Sequence, residues 1–191
     1  MIIGVILARA GSKRLPGKNH KLFDGRPMVA WSILAGQGST YIDELVVSTD
    51  DREVAAIALD YNVRLVTRPP PLATDDADSY GALKHAVSKF DVVNTVVLLQ
   101  PTSPLRSSAD IDKCVENHLD TGMPAATFAD GEGVPNGAVY AGSYPWLLGG
   151  GNWDTDTTIE VGMPVSRSVD IDTQEDFDRA LRIRRGTGSF L

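Results

Sequence analysis

The sequence predicts an α/β fold, a mostly parallel sheet flanked by helices. Short β-branched runs alternate with longer amphipathic stretches, the signature of βαβ units. The first run, Ile2-Ile3-Gly4-Val5-Ile6-Leu7, is apolar throughout, as a strand buried on both faces would be. It opens directly into the turn-prone, cation-rich stretch Arg9-Ala10-Gly11-Ser12-Lys13-Arg14-Leu15-Pro16-Gly17-Lys18-Asn19. Loops that follow parallel strands share one edge of such a sheet, where ligands bind near a topological switch point.

Taken in order, strands are predicted at residues 2–7, 44–48, 64–66, 95–99 and 125–128. Between them, residues 28–35, 51–61, 79–90 and 108–120 read as helices, with Asp51 and Ser108 as N-caps. Ser79 either starts its helix or faces a ligand. Beyond residue 130 the rhythm changes: a strand at 136–141, a glycine loop at 149–152 and a closing helix at 173–185. Trp31 and the histidines His85 and His118 fall inside helical patterns and read as structural. His20 borders the basic loop and reads as solvated, while Trp146 and Trp153 either pack the glycine loop or line a pocket.

Composition narrows the function classes. The 191 residues fit one domain, here taken as 1–191, and 42% hydrophobic with 23% charged residues is a globular balance. Cys114, the single cysteine, excludes an internal disulfide, and the run after Met1 is too short to span a bilayer and lacks a signal-peptide pattern. The expectation is a cytoplasmic protein without a membrane partner. A formal net charge of −7 argues against nucleic acid. Against that background the loop at 9–19 reads as a polyphosphate site, since Arg, Lys and exposed backbone N–H groups neutralise phosphate oxygens. It is not a Walker A loop: five residues separate Gly11 from Gly17, and Asn19 follows Lys18.

Asp170-Ile171-Asp172 puts two carboxylates at period two, on one side of an extended segment, as a shared divalent cation requires. The competing reading makes Asp172 the cap of the helix that begins near Thr173, with Asp170 solvated.

Five segments in order, residues 8–19, Ser48-Thr49-Asp50, Leu99-Gln100-Pro101-Thr102-Ser103-Pro104-Leu105-Arg106, Asn136-Gly137-Ala138-Val139-Tyr140 and Ser168-Val169-Asp170-Ile171-Asp172, resemble the motifs of the acylneuraminate cytidylyltransferases, the CMP-sialic acid synthetases. Bacterial pseudaminic and legionaminic acid synthetases share the Ser-Lys-Arg form of the basic loop. The resemblance implies a Rossmann-like nucleotidyltransferase fold and transfer of CMP from CTP to the anomeric hydroxyl of a nonulosonic acid, releasing pyrophosphate. It implies Arg9 and Lys13 on the triphosphate, with Ser12 and Asn19 also at the nucleotide, and Lys18 on phosphate or on the sugar carboxylate. Arg68, Ala77 and Ser79 match positions around the cytidine, Gln100 lies near the sugar, and Asp170 and Asp172 carry Mg²⁺. Arg9, Lys13 and Gln100 are thus the candidate catalytic residues. The base that takes the anomeric proton is a carboxylate or a metal-bound hydroxide, and the residues do not choose between them.

The chain departs from the family in one place. Members usually insert a few dozen residues before the Asn-Gly-Ala motif, carrying basic sugar contacts and much of a homodimer interface. Here only Ala129 to Pro135 intervene, without Arg or Lys, which weakens the expected homodimer. Two alternatives follow: a non-catalytic nucleotide-binding paralogue, and an enzyme of the Kdo-activating sister family. Gln100-Pro101-Thr102-Ser103-Pro104 disfavours the latter, whose members usually read Gln-Gly-Asp-Glu-Pro there.

Overall fold

A computed structural model describes residues 1–74, 76–130, 133–155 and 157–186. Its main sheet has seven strands: β1 (Ile2–Leu7), β4 (Glu44–Thr49), β5 (Arg64–Thr67), β6 (Thr95–Leu99), β7 (Ala125–Ala129), β8 (Pro135–Ser143) and β9 (Ile159–Met163), in the order β5-β4-β1-β6-β8-β7-β9. β1 pairs in parallel with both β4 and β6, so the chain builds outward from its first strand in two directions. β8 alone runs against its neighbours β6 and β7. The reversal of strand order between β1 and β6 creates the crevice at their carboxyl ends.

Helices cover both faces. On one, α1 (Met28–Gln37), α2 (Arg52–Asp60) and α4 (Ser108–Thr121) enclose Ile6, Val47, Val97, Leu99, Val139 and Cys114. On the other, α3 (Ser79–Val87) and α5 (Tyr144–Leu148) cover Ile3, Val5, Val46, Val96 and Leu98. A third cluster joins Leu15, Phe23, Trp31, Leu105, Val169, Ile171 and Phe177, packing α6 (Gln174–Gly186) beside the basic loop. That cluster brings the loop of residues 9–19 next to Asp170 and Asp172.

Several boundaries correct the sequence reading. Ser107, not Ser108, caps α4, in a reciprocal box with Asp110. Ser79 does start α3, with Asp78 as its cap. Thr173 and Asp176 bond each other at the head of α6, so Asp172 is not its cap. The hairpin of β2 (Leu22–Phe23) and β3 (Arg26–Pro27), the short α5 and β9 were not anticipated. Asp51 does cap α2, and His118 is structural, its Nδ1 2.7 Å from the Met123 carbonyl.

Candidate active site

The basic loop is tied at both ends. Asn19 Nδ2 donates to the Arg9 carbonyl at 2.9 Å, closing the loop across its base, and the Ala10 N–H donates to Asp50 Oδ1 at 3.0 Å. Gly17, at φ +66°, turns the chain where a side chain would lie 2.6 Å from His20 Nε2. Thr49 Oγ1 bonds the Ala8 carbonyl, so the Ser-Thr-Asp segment after β4 braces the loop after β1.

Three clefts open side by side at this edge. The first, of about 380 Å³, is lined by Arg9, Ser12, Lys13, Arg14, Lys18, Asn19, Gln100, Pro101, Thr102 and Asp172. The second, of about 310 Å³, is lined by Leu7, Arg9, Arg68, Leu72, Thr74, Ala77, Asp78, Ser79, Ala82, Leu98 and Gln100. The third, of about 110 Å³, lies between Ser79, Tyr80, Leu83, Leu98, Tyr140, Trp153, Asp154 and Gln100. Gln100 borders all three, and Arg9 the first two.

Within the second cleft Arg68 is buried, donating from Nη2 to the Ser48 carbonyl at 2.9 Å. Burial lowers its pKa, Asp50 opposes that shift and Arg9 adds to it. Arg9 Nη1 reaches the Thr74 carbonyl at 3.0 Å, fixing the rim of the same cleft. The third cleft is aromatic. Tyr80 stacks on Trp153 with centroids 5.6 Å apart, and burial, then Asp154, pushes the Tyr140 hydroxyl up, keeping it a neutral donor. Trp146 packs over Gly151 in the glycine loop, while Trp153 lines the third cleft and gives its indole N–H to the Ala141 carbonyl.

Gln100 and the acidic pair are fastened together. The Ile171 N–H donates to the Thr102 carbonyl at 2.8 Å, and a side chain at Gly137, with φ +79°, would sit 3.9 Å from both the Asp170 carboxyl carbon and the Gln100 amide carbon. Asp170 faces that small space from an exposed position on the segment. Desolvation raises its carboxyl pKa, a hydrogen bond with Thr102 opposes this, and the charge of Asp172 raises it further. Asp172 accepts Lys18 Nζ at 2.9 Å and lies 2.7 Å from Arg14 Nη2. Asn136, the first residue of its motif, is a brace: it accepts from Thr127 and donates to Ser168.

All residues expected at the nucleotide thus border two adjoining clefts. Asp170 and Asp172 lie on one segment beside Gln100, with Asp172 lining the first cleft. Arg14 and Thr102 were not singled out from the sequence, although both stand within the motifs. Among the described residues no group of three or more His, Cys, Asp or Glu side chains gathers as a metal cluster, and no helix is long and apolar enough to cross a membrane.

A mostly parallel sheet that gathers a cationic loop and carboxylates at its switch point is a Rossmann-like architecture. The profile of the cytidylyltransferase family matches residues 3–143, and the chain belongs to that family. It is 43% identical over 126 residues to the CMP-N,N'-diacetyllegionaminic acid synthase of Legionella pneumophila, covering 63% of this chain and 54% of that protein. It is 33% identical over 211 aligned positions to the N-acylneuraminate cytidylyltransferase of Streptococcus agalactiae serotype V, covering 92% of this chain and 51% of the relative. The chain therefore spans about half the length of these relatives. Among solved structures, a CMP:2-keto-3-deoxy-manno-octonic acid synthetase complexed with CTP superposes with a TM-score of 0.77 at 16% identity, covering 98% of this chain and 99% of that one. A Mycobacterium tuberculosis protein in complex with manganese has a TM-score of 0.66 at 18% identity, covering 95% and 98%. These two likenesses establish the fold.

Proposed function

We infer that this chain transfers CMP from CTP to a nonulosonic, sialic-acid-like sugar acid and releases pyrophosphate, with Mg²⁺ as cofactor. The observation that carries the reading is the meeting of three clefts at Gln100: one cationic, one flanked by Arg68 and the head of α3, one aromatic. The family and the named relatives support it.

In this reading the triphosphate lies against Arg9, Ser12, Lys13, Lys18 and Asn19, and the cytidine against Arg68, Ala77 and Ser79. Gln100 orients the acceptor where the clefts join. Displacement at the α-phosphorus leaves charge on pyrophosphate, and fixed cations stabilise it without reorganisation. Arg9 and Lys13 do this from the loop. The donor set fits Mg²⁺: Asp170 and Asp172 are hard oxygen donors two residues apart on one segment, and Asp172 lines the cationic cleft. With only two carboxylates, the remaining ligands would be phosphate oxygens and water, as is usual for Mg²⁺. The metal would neutralise phosphoryl charge.

Pyrophosphate release with CTP and Mg²⁺, over a panel of sialic, legionaminic and pseudaminic acids and Kdo, tests this. Release with a nonulosonic acid is expected; release with Kdo alone assigns the chain to the sister activity. CTP binding without turnover on any acid points to the non-catalytic paralogue that the short 129–135 segment suggests. Arg9→Ala and Asp172→Ala should each lower turnover by about 10²-fold or more. Rates near the parent in both would remove their assigned roles.

A further inference from the structure

Asp172, assigned above to a metal, already has two cations on it. Lys18 Nζ lies 2.9 Å from Oδ1 and Arg14 Nη2 lies 2.7 Å from Oδ2, so each carboxylate oxygen faces its own positive charge. The two partners differ in kind. Lys18 is 12% exposed and pinned by a second bond to the Ile171 carbonyl at 2.9 Å; Arg14 is 68% exposed and reaches Asp172 from solvent.

A divalent cation arriving alone must share Asp172 with these partners and sit beside both of their charges. A polyphosphate reverses the balance. Its oxygens are bidentate acceptors for a guanidinium, and Arg14 lines the same cleft as Arg9, Ser12 and Lys13. We propose that Arg14 is an exchangeable counter-ion: it holds Asp172 while the nucleotide is absent and passes to the phosphate oxygens as the cation takes its place, so that metal and triphosphate bind as one unit. The proposal rests on the reading of the first cleft as the Mg²⁺–CTP site. Exchange of ion pairs makes and breaks no covalent bond, and linkage makes it reciprocal: CTP must tighten metal binding by the factor by which metal tightens CTP.

The test is Mn²⁺ binding followed by electron paramagnetic resonance, without acceptor sugar, for the parent chain, Arg14→Ala and Arg14→Lys, each with and without CTP. Because Arg14 is exposed, its replacement should leave the fold intact, which a thermal melt checks. In the parent, CTP is expected to tighten Mn²⁺ binding at least tenfold. In Arg14→Ala, Mn²⁺ alone should bind about threefold more tightly, the scale of a partly exposed ion pair, and the tightening by CTP should shrink. Arg14→Lys, which keeps the charge but not the fork, should restore the weaker binding of Mn²⁺ alone and only part of the tightening by CTP. If Arg14→Ala binds Mn²⁺ alone no better than the parent while the CTP effect is unchanged, the exchange does not occur. If the parent binds neither Mn²⁺ nor Mn²⁺–CTP, the reading of the cleft itself falls.

Discussion

Arg106 lies directly beneath Gln100. Fully buried, it donates from Nη1 to the Gln100 carbonyl at 3.1 Å and to the Ala138 carbonyl at 2.7 Å, linking the ends of β6 and β8. Burial brings its pKa down to about 10, so it remains a cation at neutral pH. Arg106→Met should lower stability by about 1 kcal/mol, since the Ala138 carbonyl loses a charged donor while the Gln100 carbonyl keeps Ser32 and two unpartnered buried nitrogens are removed; urea denaturation measures this, and an unchanged midpoint would refute it. Ser32 Oγ also donates to the Gln100 carbonyl, so this backbone is held from two sides. The cation cluster at 9–19 and the Asp-X-Asp pair were legible because their residue types stand adjacent in sequence. The pairing of Arg14 with Asp172 was not, since it joins opposite ends of the chain through the packing of Leu15 against Val169 and Ile171. Nor was the role of Asn136, a hydrogen-bonding brace whose residue type equally suits a ligand contact.

At the scale of elements, α4 carries a junction between layers. Asp110 closes the capping box with Ser107 and also accepts Arg167 at 2.8 and 2.9 Å, tying the helix to the segment that leads to Asp170. Burial pushes the Asp110 carboxyl up, but hydrogen bonds from Arg167 and Ser107 outweigh that and hold it below the usual carboxylate range. The stability it contributes is therefore present above about pH 4 and lost as pH falls through its folded value. Asp110→Asn should cost about 2 kcal/mol at pH 7, and its gap from the parent should narrow towards pH 3; a gap independent of pH would exclude the charge as the cause. Ser107→Ala should cost about 1 kcal/mol in the same denaturation assay. The parallel strands were legible from apolar runs, and helix positions from amphipathic spacing. The hairpin β2–β3 and β9 escaped because two-residue strands carry no period and Ile159–Met163 interrupts its apolar run with Glu160 and Gly162. The cap of α4 slipped by one residue where two candidates adjoin, Ser107 beside Ser108.

For the whole molecule, a net charge of −7 coexists with one cation-lined edge. CTP association should accordingly slow by about tenfold between 0.05 and 0.5 M salt, as stopped-flow mixing would read; a flat profile would exclude steering by that edge. Cys114 sits at the centre with its thiol pKa raised by burial, so alkylation should be silent in the native state and should track global unfolding. The central place of β1 has a further consequence, for synthesis on the ribosome. β1 leaves the ribosome before both of its partners and must wait for β4, ending at Thr49, on one side and for β6, ending at Leu99, on the other. The two partners are about fifty residues apart, roughly 3–10 s of translation at about 5–20 residues per second. Throughout that interval one edge of β1, Ile2-Ile3-Gly4-Val5-Ile6-Leu7, stays unpaired and apolar. The strand that organises the finished site is thus one that a chaperone would shield during synthesis.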